Sequence, residues 1–360
     1  MNQRIALSPL AGLLAATALF ALLPSAALAQ PAKPISNDEA APLSETVVIE
    51  RVTTALDKSM EYLRSKQRPD GGWWENNAIN GIALMSFMGR GHTPGRGPYK
   101  DVLEKGKKYI LAHCKRDEKA NTAFVAFGTM YEHGMGTLSL AEMYGMDPDP
   151  ELESTLRGAV NLILQSQSPA GGWRYSPTPT DQDMSVSVMQ IVAMRAANNA
   201  EIPVPQAAID KAVQYVRSCA APNGGYGYQG PSAGPQTSAA GLLSLQLLGH
   251  VDDPGIPKTL DYLANLKIDW TNQTGVNYFY YFHYYAMQGN YQAGGKYWNN
   301  WHPQIRELLL KHQNADGSWD CPPGTAEAAE GTVGPNKVYW TALASLVLEV
   351  YMHYLPAYQR

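Results

Sequence analysis

Three stretches of the sequence share the pattern Q-x3-G-x-W, reading QRPDGGW at residues 67–73, QSPAGGW at residues 167–173 and QNADGSW at residues 313–319. A fourth copy is degenerate, because Ala220 stands at the glutamine position and Tyr226 at the tryptophan position. Trp73 and Trp173 are 100 residues apart and Trp173 and Tyr226 are 53 apart, which indicates a repeating unit of about 50 residues. One unit without the motif therefore falls between the first two copies, over residues 102–146.

Each copy of the motif lies between two stretches with helical character. Before the first copy, Val52, Leu56, Met60 and Leu63 recur at steps of three and four residues, which predicts an amphipathic helix. After it, residues 80–88 are apolar enough to be buried. The same order of a partly polar and a largely apolar helix recurs at residues 156–164 and 184–194, 209–216 and 237–248, and 305–310 and 339–348. Because the second helix of each pair is apolar on most sides, the pattern predicts an all-α double ring of helix pairs.

The repeat resembles the QW repeat of squalene and oxidosqualene cyclases, which is related to the prenyltransferase repeat. The resemblance is in the spacing of Lys58, Tyr62, Leu63, Gln67, Gly71 and Trp73. The resemblance covers nearly all of the chain after its N-terminal segment, and it implies an α/α toroid over residues 46–360. In that family the glutamine and tryptophan join neighbouring helices of the outer barrel. The resemblance therefore implies that these residues are structural.

The N-terminus has the pattern of a secretory signal peptide. Arg4 precedes an apolar run over residues 10–23, and a site of small residues ends at Ala29. The run is shorter than the roughly 20 residues that cross a bilayer, so a cleaved signal over residues 1–29 is favoured over an anchor. Residues 30–45 are rich in proline, alanine and acidic side chains, which predicts a flexible leader. We expect the mature chain to be exported to the periplasm or the extracellular space and not to be an integral membrane protein.

Charge and cysteine content narrow the partners and cofactors. The formal net charge of −4 gives no basic field for nucleic acid, so nucleic acid is not an expected partner. Cys114, Cys219 and Cys321 allow at most one internal disulfide, and no C-x-x-C pair occurs. A structural zinc site is therefore not expected. We predict no metal and no cofactor.

The zinc site of protein prenyltransferases is not part of the resemblance. That site uses an aspartate, a cysteine two residues later and a distant histidine. Here Asp320 and Cys321 are adjacent, and residues 337–341, where the histidine would lie, read KVYWT. Transfer of a prenyl group at zinc is therefore not supported.

Two aspartates follow the second motif in the place of a known acidic motif. Class II terpenoid cyclases protonate an alkene with the central acid of D-x-D-D, and residues 181–184 read DQDM. The resemblance implies that Asp183 is the central acid and Asp181 the first, whereas Met184 replaces the last. Clustered carboxylates in an apolar cavity suit such an acid. The alternative is that one of the aspartates caps the helix that begins near Met184.

The aromatic run YFYYFHYY at residues 278–285 would encircle a helix. Aromatic faces stabilise cations along a cyclisation path, and they also fill protein cores. His283, in this run, and His133, in another unit, are the acid/base candidates if the reaction is not terpenoid chemistry. Each could instead be a hydrogen-bonded core residue. We expect the side chains at the cavity to be Tyr280, Tyr281, His283, Tyr284 and, from another unit, His133.

Three functions are compatible with these patterns. The first is a terpenoid cyclase-type enzyme that acts on a polyisoprenoid with Asp183 as acid and Asp181 in support. The second is a non-catalytic toroid that binds a ligand or acts as a scaffold. The third is an exported polysaccharide lyase or hydrolase. The ligand is accordingly a hydrophobic small molecule or a glycan, and the place of the two aspartates favours the first function.

Overall fold

A computed structural model describes residues 45–271, 275–330, 336–350 and 355. The predicted signal peptide at 1–29 and the predicted leader, apart from its last residue, lie outside the described residues. The described helices are α1 (Glu45–Lys66), α2 (Asn77–Gly89), α3 (Lys100–Ala112), α4 (Met130–Met146), α5 (Pro150–Ser166), α6 (Met184–Asn199), α7 (Gln206–Ser218), α8 (Pro235–Leu247), α9 (Gly255–Ala264), α10 (Phe279–Ala293), α11 (Gly295–Lys311), α12 (Ala326–Glu330) and α13 (Asn336–Glu349). Two small antiparallel pairs join β1 (Lys115–Asp117) to β2 (Thr122–Phe124) and β3 (Tyr226–Gly227) to β4 (Ala233–Gly234).

The helices form a closed inner ring inside an outer layer. Helices α2, α4, α6, α8, α10 and α13 each pack against the next, and α13 packs against α2. Each inner helix is preceded along the chain by an outer helix, namely α1, α3, α5, α7, α9 or α11. The predicted all-α toroid of helix pairs is therefore confirmed.

The sequences of the two layers differ as the packing requires. In the inner helix α8 every residue from Ser238 to Leu247 is buried, because neighbours surround it on all sides. In the outer helix α7 the buried residues form one stripe, at Ala208, Ala212, Val213, Tyr215 and Val216. Apolar helices in the inner ring, covered by amphipathic helices in the outer layer, are the arrangement that buries the inner ring.

The glutamine and the tryptophan of the motif link consecutive outer helices. Gln67 Nε2 donates to the carbonyl oxygen of Gly71 at 2.8 Å and to that of Val102, in α3, at 2.9 Å. Trp73 is buried, and its Nε1 donates at 2.7 Å to the carbonyl oxygen of Leu63, in α1. The second copy makes the same bonds, to Gly171, Ala208 and Ile163. The tryptophan thus bonds a carbonyl group in the last turn of one outer helix, and the glutamine bonds one in the first turn of the next.

The third complete copy closes the outer layer. Gln313 Nε2 donates to the carbonyl oxygen of Ala55, in α1, at 2.8 Å, across 258 residues of sequence. The Ser345 hydroxyl, in α13, donates to Ser59 Oγ, in α1, at 2.9 Å. The last helix pair is therefore bonded to the first by the same motif that links consecutive pairs.

The degenerate copy replaces the missing glutamine from a different position. Ala220 has no side-chain donor, and Thr259 Oγ1, in α9, donates to the carbonyl oxygen of Gly224 at 2.7 Å. Gly224 is the equivalent of Gly71, which accepts from Gln67. The link to the next outer helix is therefore kept.

The first glycine of the motif is predicted to tolerate no side chain. Gly171 has φ +100°, and a Cβ there would lie 2.0 Å from the carbonyl oxygen of Lys211. Gly249 has a similar φ of +88° but nothing within 4 Å of its Cβ position. We expect Gly249→Ala to cost about 1–2 kcal/mol from the left-handed backbone alone, and Gly171→Ala about 1–3 kcal/mol more from the clash. Urea unfolding of both variants measures the difference, and equal losses would contradict the clash.

Candidate active site

A central cavity of about 810 Å³ lies among the N-terminal halves of the inner helices. Every inner helix contributes to its wall, for example Ile79 of α2, Tyr131 of α4, Ser185 of α6, Thr237 of α8 and Leu343 of α13. The volume falls within the range of pockets that bind small organic ligands. The cavity is therefore the candidate active site.

The wall is rich in tyrosine and in neutral polar groups. Its aromatic side chains are Tyr131, Tyr175, Tyr228, Tyr278, Tyr281, Tyr284, Tyr285, Tyr339 and Trp340. Its amide and hydroxyl side chains are Asn76, Ser185, Gln236, Thr237, Asn277 and Asn336. Among the described residues that line it, none is lysine, arginine or histidine. This wall offers no cation for a phosphate or a uronate, so it suits an uncharged ligand.

Helix α10 divides the predicted aromatic residues between two faces. Tyr281 and Tyr284 line the cavity. Tyr280 does not, because its hydroxyl points to the outer layer and donates to the carbonyl oxygen of Asp320 at 2.6 Å. His283 is buried, with its ring 4.4 Å from that of Phe279. The prediction that Tyr280 and His283 belong to the cavity is therefore corrected, because their helical positions face away from it.

His133 is a core histidine rather than a cavity residue. Its Nδ1 accepts from the Val125 amide at 3.1 Å, and its Nε2 lies 3.2 Å from the Ala159 carbonyl oxygen. Burial lowers the pKa of His133 to about 4, so the ring is neutral at pH 7. With one nitrogen accepting and the other donating, His133 fastens the segment after β2 to α5. Its predicted place at the cavity is corrected in the same way.

The structure brings Asp181 and Asp183 to one arginine but not into the cavity wall. Asp183 is wholly buried and is the N-cap of α6, where its Oδ1 accepts from the Val186 amide at 2.9 Å. Arg174 Nη1 lies 3.4 Å from Asp183 Oδ2, and Arg174 Nε lies 3.4 Å from Asp181 Oδ2. The side chain of Asp181 is 50% exposed. Capping is thus the observed contact of Asp183, and its role as an acid stays a prediction.

Two hydroxyl groups connect Asp183 to the cavity. Ser185 Oγ donates to Asp183 Oδ1 at 2.6 Å, and the Tyr131 hydroxyl is hydrogen-bonded to Ser185 Oγ. Both Ser185 and Tyr131 line the wall. Burial raises the pKa of the Tyr131 phenol, so the phenol keeps its proton. The buried carboxyl group of Asp183 is therefore bonded directly to one wall residue, Ser185, and through it to a second, Tyr131.

Glu327 is the wall residue that the sequence analysis missed. It lies in the short helix α12, is buried, and lines the cavity. Its Oε2 accepts from the amide of Tyr280, in the first turn of α10, at 2.9 Å. Within the described structure its Oε1 has no hydrogen-bond partner. Burial raises the pKa of Glu327 to about 7, against the opposing effect of the α10 amides.

The raised pKa of Glu327 predicts a pH dependence of stability. Between pH 4.5 and about 7 the unfolded state loses this proton while the folded state keeps it, so the free energy of unfolding falls as the pH rises. The total effect is on the order of 3 kcal/mol. We expect Glu327→Gln to flatten this part of the curve in urea unfolding series from pH 4 to 8. The pKa of buried Glu349 is also raised, so its effect on the free energy of unfolding has the same sign, and it is present in both the wild type and the variant. An unchanged slope would contradict the ionisation of Glu327.

Neither a protein-family model nor a curated protein matches the sequence. Solved structures do match the fold. A variant of the type II terpene cyclase MstE from Scytonema, in complex with geranylgeranyl dihydroxybenzoate, aligns with a TM-score of 0.59 at 12% identity, over 85% of this chain and 98% of that chain. The chain has the α/α toroid fold.

Glycoside-cleaving enzymes are equally similar in fold. A glycosidase variant aligns with a TM-score of 0.60 at 15% identity, over 87% of this chain and all of the other. An inactive variant of an alpha-1,6-mannanase of Salegentibacter sp., in complex with alpha-1,6-mannotetrose, gives 0.60 at 9% identity, over 83% of this chain and 98% of that chain. Identities this low establish the fold, and the function has to be argued from the site.

No group of three or more histidine, cysteine, aspartate or glutamate side chains among the described residues is placed to hold a metal ion. None of the described helices has both the length and the apolar character that crossing a bilayer requires.

Proposed function

We propose that the protein is a hydrolase that cleaves a glycosidic bond of a neutral glycan in the central cavity, with Glu327 as general acid. The observation that carries this proposal is the carboxyl group of Glu327 in the wall. Its pKa is raised to about 7, and its Oε1 has no hydrogen-bond partner among the described residues. Such a group is protonated near neutral pH and can give its proton to a leaving oxygen.

The rest of the wall favours a sugar that carries no charge. The wall carries amide and hydroxyl side chains, the neutral groups that bond sugar hydroxyls, and the tyrosine rings offer flat apolar faces. No described wall residue is a cation that would neutralise a uronate, so a lyase acting on acidic polysaccharides is disfavoured. A fold shared with glycosidases and the predicted export of the chain agree with a polymer substrate.

Hydrolysis also needs a group that takes a proton from water. Glycosidases use a second carboxylate for this step or as a nucleophile. Asp183 is connected to the cavity through Ser185 and Tyr131. In the proposed reaction the attacking water passes one proton along this chain to Asp183, while Glu327 protonates the leaving oxygen as the C–O bond breaks. The water oxygen forms the new bond to the anomeric carbon, and both carboxyl groups exchange protons with solvent afterwards.

Terpenoid cyclisation is the second candidate. Asp183, which has the sequence position of the acid in class II cyclases, is wholly buried and lies beside Arg174. This placement and the fold shared with a terpene cyclase favour cyclisation. Tyrosine faces in the wall would stabilise a carbocation. Against it, Ser185 stands between the Asp183 carboxyl group and the cavity. Glu327, with a pKa near 7, is a weak acid for protonating an alkene.

One panel of substrates separates the candidates. The purified protein is incubated with hexasaccharides of mannose, glucose and xylose, with oligogalacturonate, and with squalene and geranylgeraniol, and the products are separated by chromatography. We expect shortened neutral oligosaccharides and intact oligogalacturonate. A cyclised isoprenoid without any sugar product would replace hydrolysis by the second candidate. No product from any substrate would leave the non-catalytic ligand-binding toroid.

A further inference from the structure

Four exposed aromatic side chains lie on the segments that lead into the cavity-forming inner helices. Seven large hydrophobic side chains are exposed in the described residues, and four of them are Trp74 (42% exposed), Tyr175 (39%), Tyr228 (38%) and Tyr278 (37%). Each lies in the segment that leads into an inner helix, namely α2, α6, α8 or α10. We name these four residues the aromatic collar. Their clustering at one end of four inner helices is not a scatter of single exposed residues.

The aromatic collar is continuous with the cavity. Tyr175, Tyr228 and Tyr278 line the wall as well as being exposed. Trp74 lies two residues before Asn76, which is the N-cap of α2 and also lines the wall. The ring of Tyr175 lies 5.5 Å from that of Tyr131, which belongs to the wall. A ligand that projects from the cavity would therefore contact the collar.

Two of the collar tyrosines are held firmly in place. The carbonyl oxygens of Tyr175 and Tyr228 accept at 2.8 Å from the amides of Met130 and Met184, the first residues of α4 and α6. The two phenol groups are hydrogen-bonded to each other. The guanidinium of Arg174 lies 4.8 Å from the ring centre of Tyr175 and 5.5 Å from that of Tyr228. Rings that are ordered before binding lose little entropy when a ligand stacks on them.

We propose that the aromatic collar binds sugar units of a neutral glycan that extend out of the cavity, so that the substrate is an oligomer or polymer rather than a disaccharide. This inference rests on the proposed function. The faces of aromatic rings carry partial negative charge, which suits the C–H bonds on the flat face of a pyranose. A cavity of 810 Å³ has the size of a site for a small ligand, so a longer chain must continue across the collar.

A lipid surface fits the aromatic collar less well. Tyrosine and tryptophan do occur at membrane interfaces, but docking also uses leucine, phenylalanine and free cations. None of the exposed large hydrophobic side chains of the described residues is leucine or phenylalanine, and Arg174, beside the collar, is paired with Asp181 and Asp183. The exposed aliphatic residues Val47, Ile49 and Val251 lie in the first turns of α1 and in the turn after α8. The negative net charge of the chain also opposes binding to anionic lipids.

Binding measurements on a variant that cleaves slowly test the inference. Titration calorimetry with Glu327→Gln compares the dimer and hexamer of the sugar that the wild type cleaves, or of mannose, glucose and xylose if it cleaves none. We expect the hexamer to bind about tenfold more tightly than the dimer, and Tyr175→Ala or Tyr228→Ala to remove most of that gain. Tyr175→Phe, which keeps the ring, should retain it. Tyr144→Ala, near the C-terminal end of α4, is the control and should change neither affinity.

The outcomes separate this inference from the proposed hydrolysis. Equal affinity for dimer and hexamer, or no sugar binding, overturns the collar as a glycan site even if the wild type cleaves sugars. Length-dependent binding that the two alanine variants abolish supports the collar even if nothing is cleaved. Vesicles of phosphatidylcholine with phosphatidylglycerol are tested in parallel. Binding to vesicles that Tyr175→Ala abolishes, without any sugar binding, would assign the collar to a lipid surface and overturn the inference.

Discussion

Glu327→Gln is expected to lower the rate of neutral glycan hydrolysis by about 10²–10⁴-fold. Glutamine keeps the shape of the side chain and an oxygen for the Tyr280 amide, but it has no proton to give to a leaving oxygen. Binding of the sugar should change by no more than about twofold, because the change acts on proton transfer in the transition state. Initial rates and calorimetric affinities on the same oligosaccharide measure the two effects separately.

The pH profile distinguishes an acid from a structural cap. Since the pKa of Glu327 is about 7, wild-type activity should fall as the pH rises through 7, because the acid then loses its proton. The residual activity of Glu327→Gln should lack this fall. Glu118→Gln, in the exposed turn between β1 and β2, is the matched control and should leave both the rate and the profile unchanged. A variant with a wild-type profile at a lower rate would show that Glu327 only positions α10.

Trp319→Ala is expected to lower the free energy of unfolding by about 3–5 kcal/mol. Trp319 is wholly buried, and its Nε1 donates to the Leu309 carbonyl oxygen at 2.8 Å. Its backbone amide donates to Thr341 Oγ1 at 3.1 Å, which ties the segment after α11 to α13. Removing the indole leaves a cavity where the last helix pair meets the first, and the Leu309 carbonyl oxygen keeps only its hydrogen bond from the His312 amide. Urea unfolding followed by circular dichroism measures the loss.

Trp74→Ala is the control for that measurement. Trp74 is 42% exposed and follows directly after a motif tryptophan, so truncating it should change the free energy of unfolding by about 0.5 kcal/mol or less. If Trp319→Ala cost no more than Trp74→Ala, the motif tryptophan would not stabilise the closed ring. If both variants were strongly destabilised, the exposed ring of Trp74 would have a structural role.

The fold could be predicted because the same contacts recur in each unit. Gln67 and Gln313 make equivalent hydrogen bonds to the next outer helix, so the chain repeats the residues that make them. The apolar inner helices follow from burial on every side. The pair α9 and α10 was not predicted as a unit of its own, because no copy of the motif joins these helices. Thr259 could not be predicted either, since the glutamine missing at position 220 can be replaced by any hydroxyl that reaches the Gly224 carbonyl group.

The site could be predicted only in part. In a run of eight aromatic residues the hydrophobic period vanishes, so the sequence cannot tell that Tyr281 faces the cavity and Tyr280 the outer layer. That choice is made by the packing of α10 between α8 and α13. Glu327 stands among alanines in a five-residue helix, and its raised pKa arises from tertiary burial that leaves no local pattern. Capping of α6 by one of the two aspartates could be given as an alternative because N-caps have a local sequence preference, but the sequence left open which of them it is.

The hydrogen bond from Gln313 to Ala55 bears on how the chain folds. In an open solenoid, units can dock one after another from any starting point and the ends fray independently. Here the first and last helix pairs each lack a neighbour until they meet, so no order of docking completes the outer layer before both are present. The final step joins segments that are far apart in sequence, which slows folding by its loop-closure entropy. Once this contact is made, the first and last helix pairs cannot separate without breaking the closed outer layer. The chain should therefore unfold as one cooperative unit.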